Sequence, residues 1–88
     1  MCIEQIYRKF EDGIEKTVIS ILQKKGEGRT IRDLAIIFDY TPLASELKEE
    51  SPESNPEIYL GMALGKMKNK GKIINENEVW YVNGEYHG

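Results

Sequence analysis

The last third of the chain constrains the fold most, because its hydrophobic period changes abruptly there. Leu60, Leu64 and Met67 recur by four and three, one face of an α-helix, with Ala63 and Ile58 flanking the stripe. The start of this helix is marked by Ser54 or Asn55 as the cap, Pro56 at the first helical position and Glu57 where the helix dipole favours an anion. Its end is marked by Lys68-Asn69-Lys70-Gly71, cations and then a glycine suited to a left-handed cap. Directly afterwards Lys72-Ile73-Ile74-Asn75 and Glu78-Val79-Trp80-Tyr81-Val82-Asn83 are rich in β-branched and aromatic residues. They predict two paired strands joined by a tight turn at Glu76-Asn77.

Upstream the chain reads as helices. Ile3, Tyr7, Phe10, Ile14, Thr17 or Val18, and Ile21 form an apolar stripe that Ile6 and Leu22 widen, with mostly charged residues between. The segment ends at Lys24-Lys25-Gly26; at Gly13 either one long helix runs through or two shorter helices meet, and a break or bend near Asp12-Gly13 is the favoured expectation. After the turn Glu27-Gly28-Arg29, Thr30 followed by Asp33 resembles a capping box. A second helix is expected from Ile31 to about Phe38, burying Ile31, Leu34, Ala35 and Phe38, with Ile37 widening the face. Between Asp39 and Asn55 the chain predicts an acidic connection holding about two helical turns after Thr41-Pro42, with Leu43, Ala44 and Leu47 as a weak apolar face.

At 88 residues the chain is one domain with a small core. Hydrophobic residues at 40% and charged ones at 31% suit a folded soluble domain rather than a disordered one. No apolar run approaches the roughly 18 residues of a membrane span, and the charged N-terminal decapeptide is unlike a signal peptide. A cytoplasmic location without membrane partners is the expectation. The single cysteine, Cys2, forms no internal disulfide, and no Cys/His cluster is spaced to hold zinc. The single histidine, His87, has no catalytic companions, and Gly26-Glu27-Gly28 lacks the remainder of a phosphate-binding loop. Neither catalysis nor a cofactor is expected.

The stretch Ala63 to Ile74 resembles the winged-helix pattern, in which the recognition helix ends as apolar-x-x-apolar-x-x-x-Gly-x-Ile and turns into the wing. Leu64, Met67, Gly71 and Ile73 occupy those positions. Ile19 to Gly26, followed by Thr30-Ile31-Arg32-Asp33-Leu34-Ala35, is similar to the first two helices of the same superfamily, so the resemblance covers roughly Ile14 to Val82. It does not extend to winged helices that bind left-handed nucleic acid, whose third-helix tyrosine and asparagine fall on Gly65 and Gly61. It implies an α+β, mostly α, fold: a three-helix core and a C-terminal two-stranded wing hairpin. Residues 1–13 would be an N-terminal helical extension, 14–83 the winged-helix domain and 84–88 a loose tail.

What the resemblance implies about function is duplex-DNA binding through helix three and the wing, in a transcriptional regulator. Lys66, Lys70 and Lys72, with Arg29 and Arg32, would meet phosphates, while Tyr59, Met62 and Asn69 would lie on the outward face of helix three. The charge supports this only in part. The net charge is −3, yet it is polarised: residues 39–57 hold six acids against one base, Lys48, whereas Lys66 to Lys72 hold four lysines and no acid. The same fold serves protein docking. The alternative is therefore an interaction module that uses the acidic connection or the Gly61/Gly65 face, and the N-terminal stripe predicts a homodimer if a second copy covers it.

Overall fold

The structure is a computed structural model that describes residues 3–25 and 28–84. Four helices, α1 (Ile3–Lys25), α2 (Ile31–Phe38), α3 (Pro42–Glu50) and α4 (Pro56–Asn69), combine with three short strands, β1 (Arg29–Thr30), β2 (Ile73–Glu76) and β3 (Val79–Val82). The strands form one antiparallel sheet in the order β1-β3-β2. This is a winged helix-turn-helix-like architecture, mostly helical, with the hairpin following the last helix. Cys2, the Gly26 cap and the tail 85–88 lie outside the described residues.

Helix α1 is unbroken, which corrects the expected bend at Asp12-Gly13. A Cβ on Gly13 would stand 3.1 Å from Cδ2 of Leu43, so the glycine seats α3 closely against α1 while the helix continues through it. Residues 3–13 are thus the first half of the same helix that supplies Ile14, Val18 and Leu22 to the core. Ile6 and Tyr7 are buried with them, and Phe10 packs at the edge, so the stripe from Ile6 onward is largely covered by its own domain.

The acidic connection is ordered because both its ends are capped. Thr41 Oγ1 accepts from the Ala44 N–H and donates to the Phe38 carbonyl, which ties α2 to α3 through a three-residue turn. Ala44 and Leu47 are buried, and Asn55 Oδ1 accepts from the Glu57 N–H at 2.9 Å to open α4. The Thr30 cap is also present, its Oγ1 accepting from the Asp33 N–H at 3.2 Å.

On α4, Tyr59, Leu60, Ala63, Leu64 and Met67 are buried. Two expectations reverse here: Tyr59 is 3% exposed, whereas Ile58 is 53% exposed. The Tyr59 ring meets Phe38 of α2 edge-on, with centroids 5.6 Å apart, an arrangement aromatic pairs prefer. Packing between α2 and α4 therefore rotates α4 so that Tyr59 faces inward.

Gly71, at φ 76°, reverses the chain into β2. The hairpin turn falls one residue later than expected, at Asn77 (φ 51°) and Glu78 (φ 67°), so that Ile73 pairs with Val82 and Glu76 with Val79. Two successive positive φ values define the turn whose twist matches a β-hairpin, and asparagine tolerates the first of them. Strand β1 is an addition to the expected hairpin. Arg29 opposes Trp80 and Thr30 opposes Val79. A side chain at Gly28 would overlap Val79 and Tyr81, so only glycine lets the chain enter this ladder.

Glu78 occupies left-handed backbone, which costs a residue with a Cβ about 1 kcal/mol. Glu78→Gly is accordingly expected to stabilise the protein by up to about 0.5 kcal/mol, once the greater freedom of glycine in the unfolded chain is subtracted. Urea unfolding followed by circular dichroism measures it, and a loss of stability would show that the turn is not of this type.

Candidate functional site

The chemistry-bearing residues gather where α4 and the start of the wing meet α1. Lys66 and Lys70 lie one turn apart on α4, and Glu11 and Glu15 lie one turn apart on α1. The two rows face each other across the α1–α4 contact. Lys66 Nζ is 3.8 Å from Glu11 Oε1, and Lys70 Nζ is 3.3 Å from Glu15 Oε1. Lys72, just past the Gly71 reversal, brings its Nζ to 3.8 Å from the same Glu15 oxygen. Glu15 is the one charged residue among the described ones that is classed as buried, at 8% exposure, and the two ammonium groups compensate its lost hydration.

Beneath this ladder sits Tyr7. Its ring is fully buried, and Lys66 Nζ stands 4.9 Å from the ring centroid, a cation–π distance. The Tyr7 hydroxyl is buried without a hydrogen-bond partner among the described residues. Burial, reinforced by the negative charges of Glu11 and Glu15, pushes its pKa up to about 12. Tyr59 is pushed up to about 12 as well, by burial first and by Asp39 second.

The residues singled out from the sequence separate into groups. Lys66, Lys70 and Lys72 come together as expected, but against α1 carboxylates. Lys66 and Lys70 remain about half exposed, at 47% and 49%. Lys68 and Asn69 are exposed on the last turn of α4, and Lys68 makes no ion pair among the described residues. Met62 is half-buried, and Tyr59 is in the core rather than on the outward face, because Phe38 holds it there. Arg32 is exposed near the start of α2, beside a shallow hollow it shares with Asn75, Glu78 and Trp80 of the wing. Arg29 stands apart from the lysine ladder, in a groove lined by α1, α2 and the beginning of α3.

At Gly61 a Cβ would come into ordinary contact with Ile31 of α2 at 3.5 Å, and Gly65 faces open space. The exposed residues of α4 are Glu57, Ile58, Lys66, Lys68 and Asn69, with Gly61, Met62 and Gly65 partly exposed among them, so few uncharged hydrogen-bonding groups face outward. The role of Glu11 and Glu15 was missed in the sequence. A signal for it exists, because acids spaced by four on one amphipathic helix match lysines spaced by four on another. Nothing in the sequence pattern says that those two faces meet.

Among the described residues no group of three or more His, Cys, Asp or Glu side chains is placed to hold a metal ion. No described helix is long and apolar enough to cross a membrane.

Two outcomes follow for Tyr7. Its hydroxyl is an unsatisfied buried group, so Tyr7→Phe is expected to stabilise the fold by about 1 kcal/mol, read from the shift of a denaturant midpoint. Raised folded-state pKa values mean that the stability contributed by neutral Tyr7 and Tyr59 is fully present below about pH 10. It is lost as pH rises from 10 through 12, because only the unfolded chain releases those protons over that interval. Stability measured across that interval should fall less steeply in Tyr7→Phe than in the parent chain, and equal slopes would contradict the assignment.

Comparison with protein-family models, with curated proteins and with solved structures found no significant match, so the architecture of this chain rests on its own residues.

Proposed function

We propose that this protein binds double-stranded DNA, laying α4 and the wing hairpin along the duplex and gripping phosphates more than reading bases. The observation that carries this reading is the cluster Lys66, Lys68, Lys70 and Lys72. It sits at the end of the helix that directly precedes the hairpin in a winged helix-turn-helix-like frame. In such frames that helix and the wing approach the duplex together. Asn69 is suited to pair with an adenine edge and Met62 to touch a thymine methyl, whereas Gly65 lets backbone come close without specifying a base. Few base-reading groups on α4 imply weak sequence preference.

The contacts of three lysines with Glu11 and Glu15 do not prevent this use. The Lys66–Glu11 pair is partly exposed and worth at most about 1 kcal/mol, the Lys70 ammonium is half exposed although its partner Glu15 is buried, and a duplex offers a row of phosphates at higher charge density. The carboxylates hold the ammonium groups in line when DNA is absent and compete with it when present.

A second reading is favoured by one observation. Ile36 and Tyr40, one turn apart along α2 and its C-terminal end, are 55% and 87% exposed, and Ile58 is 53% exposed at the start of α4. Large exposed apolar side chains on neighbouring elements suit a protein partner, including a second copy of this chain. Most of the α1 stripe packs in the domain's own core, so this reading places the dimer contact on the α2 face.

Fluorescence anisotropy with a labelled duplex of random sequence tests the DNA reading. With about four phosphate contacts, affinity should fall roughly a hundredfold between 50 and 200 mM salt. Lys70→Glu should weaken binding to all sequences alike, and Glu11→Gln should strengthen it. Absence of binding at low salt, or binding indifferent to salt, would leave the protein-docking reading, which sedimentation of Tyr40→Glu against the parent chain then examines.

A further inference from the structure

The groove that contains Arg29 has a composition unlike the rest of the surface. It encloses about 600 Å³ between the C-terminal half of α1, strand β1, the end of α2 and the start of α3. That volume lies within the range of small-molecule sites. Its apolar lining comes from Ile21, Ile37 and Leu43, and its charged groups are Lys16, Lys24 and Arg29. No carboxylate lines it among the described residues, although acids outnumber bases in the chain by 15 to 12.

Arg29 is the telling member. Its Nε is buried and has no hydrogen-bond partner among the described residues. A buried guanidinium N–H without an acceptor is a donor whose lost hydration nothing replaces. The β1–β3 pairing opposite Trp80 fixes the backbone from which the Arg29 side chain enters the groove.

We propose that this groove binds a small amphipathic carboxylate. Its carboxylate would lie on the Arg29 guanidinium with Lys16 and Lys24 alongside, and its hydrocarbon would lie over Ile21, Ile37 and Leu43. A planar carboxylate matches the fork of a guanidinium, and Arg29 is a lining residue of the groove beside Lys16 and Lys24. The three aliphatic side chains give an acyl or aryl body a surface to dehydrate. The site is separate from the lysine ladder on α4, and the proposal stands whether or not the protein binds DNA.

Octanoate is the probe, with 1-octanol and acetate as its apolar and charged halves. Trp80, the single tryptophan, lies directly across the ladder from Arg29 and reports by its fluorescence. Octanoate should change Trp80 emission saturably, with a dissociation constant below about 1 mM, and shift the amide resonances of Lys24, Arg29 and Thr41. Octanol and acetate should each bind at least roughly tenfold more weakly. Arg29→Gln should weaken octanoate roughly tenfold while Arg32→Gln leaves it unchanged. If Arg29→Gln loses its fold, Lys24→Gln, at an exposed position, should still weaken octanoate by about threefold. Equal binding of octanol would reduce the site to an apolar patch, and equal binding of acetate would reduce it to a charged one. Either result, or no saturable binding of octanoate, overturns the proposal.

Discussion

Helix α1 is the constraint on which the rest of the structure depends. Ile6, Tyr7, Ile14, Val18 and Leu22 point to one side of a single helix, and α2, α3, α4 and β3 all pack against it. Each of those elements is too short to hold its shape alone; an isolated helix of eight or nine residues is marginal in water. Burial against α1 offsets their ordering entropy, and caps at Thr30, Thr41 and Asn55 set where each begins. An unbroken α1 is thus a requirement of the packing, and Gly13 serves that packing by admitting Leu43.

The same helix determines the electrostatics of the candidate interface. Carboxylates on the flank of α1 reach lysines on the flank of α4, so a chain that is acidic as a whole presents its cations already ordered along one seam. The energy in that seam is small for the half-exposed pairs and larger at Glu15, whose burial demands compensation. Its value to the protein is geometric. Lys66, Lys70 and Lys72 are held at the junction of the last helix and the wing, the surface proposed to meet the duplex. The second cationic locus, around Arg29, differs in kind. Its charges surround apolar side chains and one donor is left unsatisfied, an arrangement suited to a small ligand rather than to a phosphate row.

Much of the fold was legible in the residues. Leu60, Leu64 and Met67 followed by Gly71 and two β-rich runs define a helix that turns into a hairpin, because the hydrophobic period changes from helical to extended across a residue able to adopt positive φ. Thr41-Pro42 marked α3, and Asn55-Pro56 marked α4. Other features were not legible for specific reasons. Asn77-Glu78 displaced the turn by one residue, since register depends on which side chains reach the core. Arg29-Thr30 has no period to display, so a two-residue strand could be recognised only by its partner. Tyr59 exchanged places with Ile58 because neighbouring residues on a helix differ by 100°, and Phe38 decides which of the two turns inward.

By itself the sequence determined the helical stripes, the caps, the reversal at Gly71 and the separation of an acidic middle from a lysine-rich end. These are properties of residues near one another in the chain, where propensity and spacing act directly. Only the tertiary structure decided that Glu11 and Glu15 face Lys66, Lys70 and Lys72, that Leu43 fits at Gly13, and that Arg29, half-buried, shares a groove with Lys16 and Lys24. Those are relations between faces of different elements, set by how helices rotate to bury the most apolar surface, and no local pattern encodes that rotation.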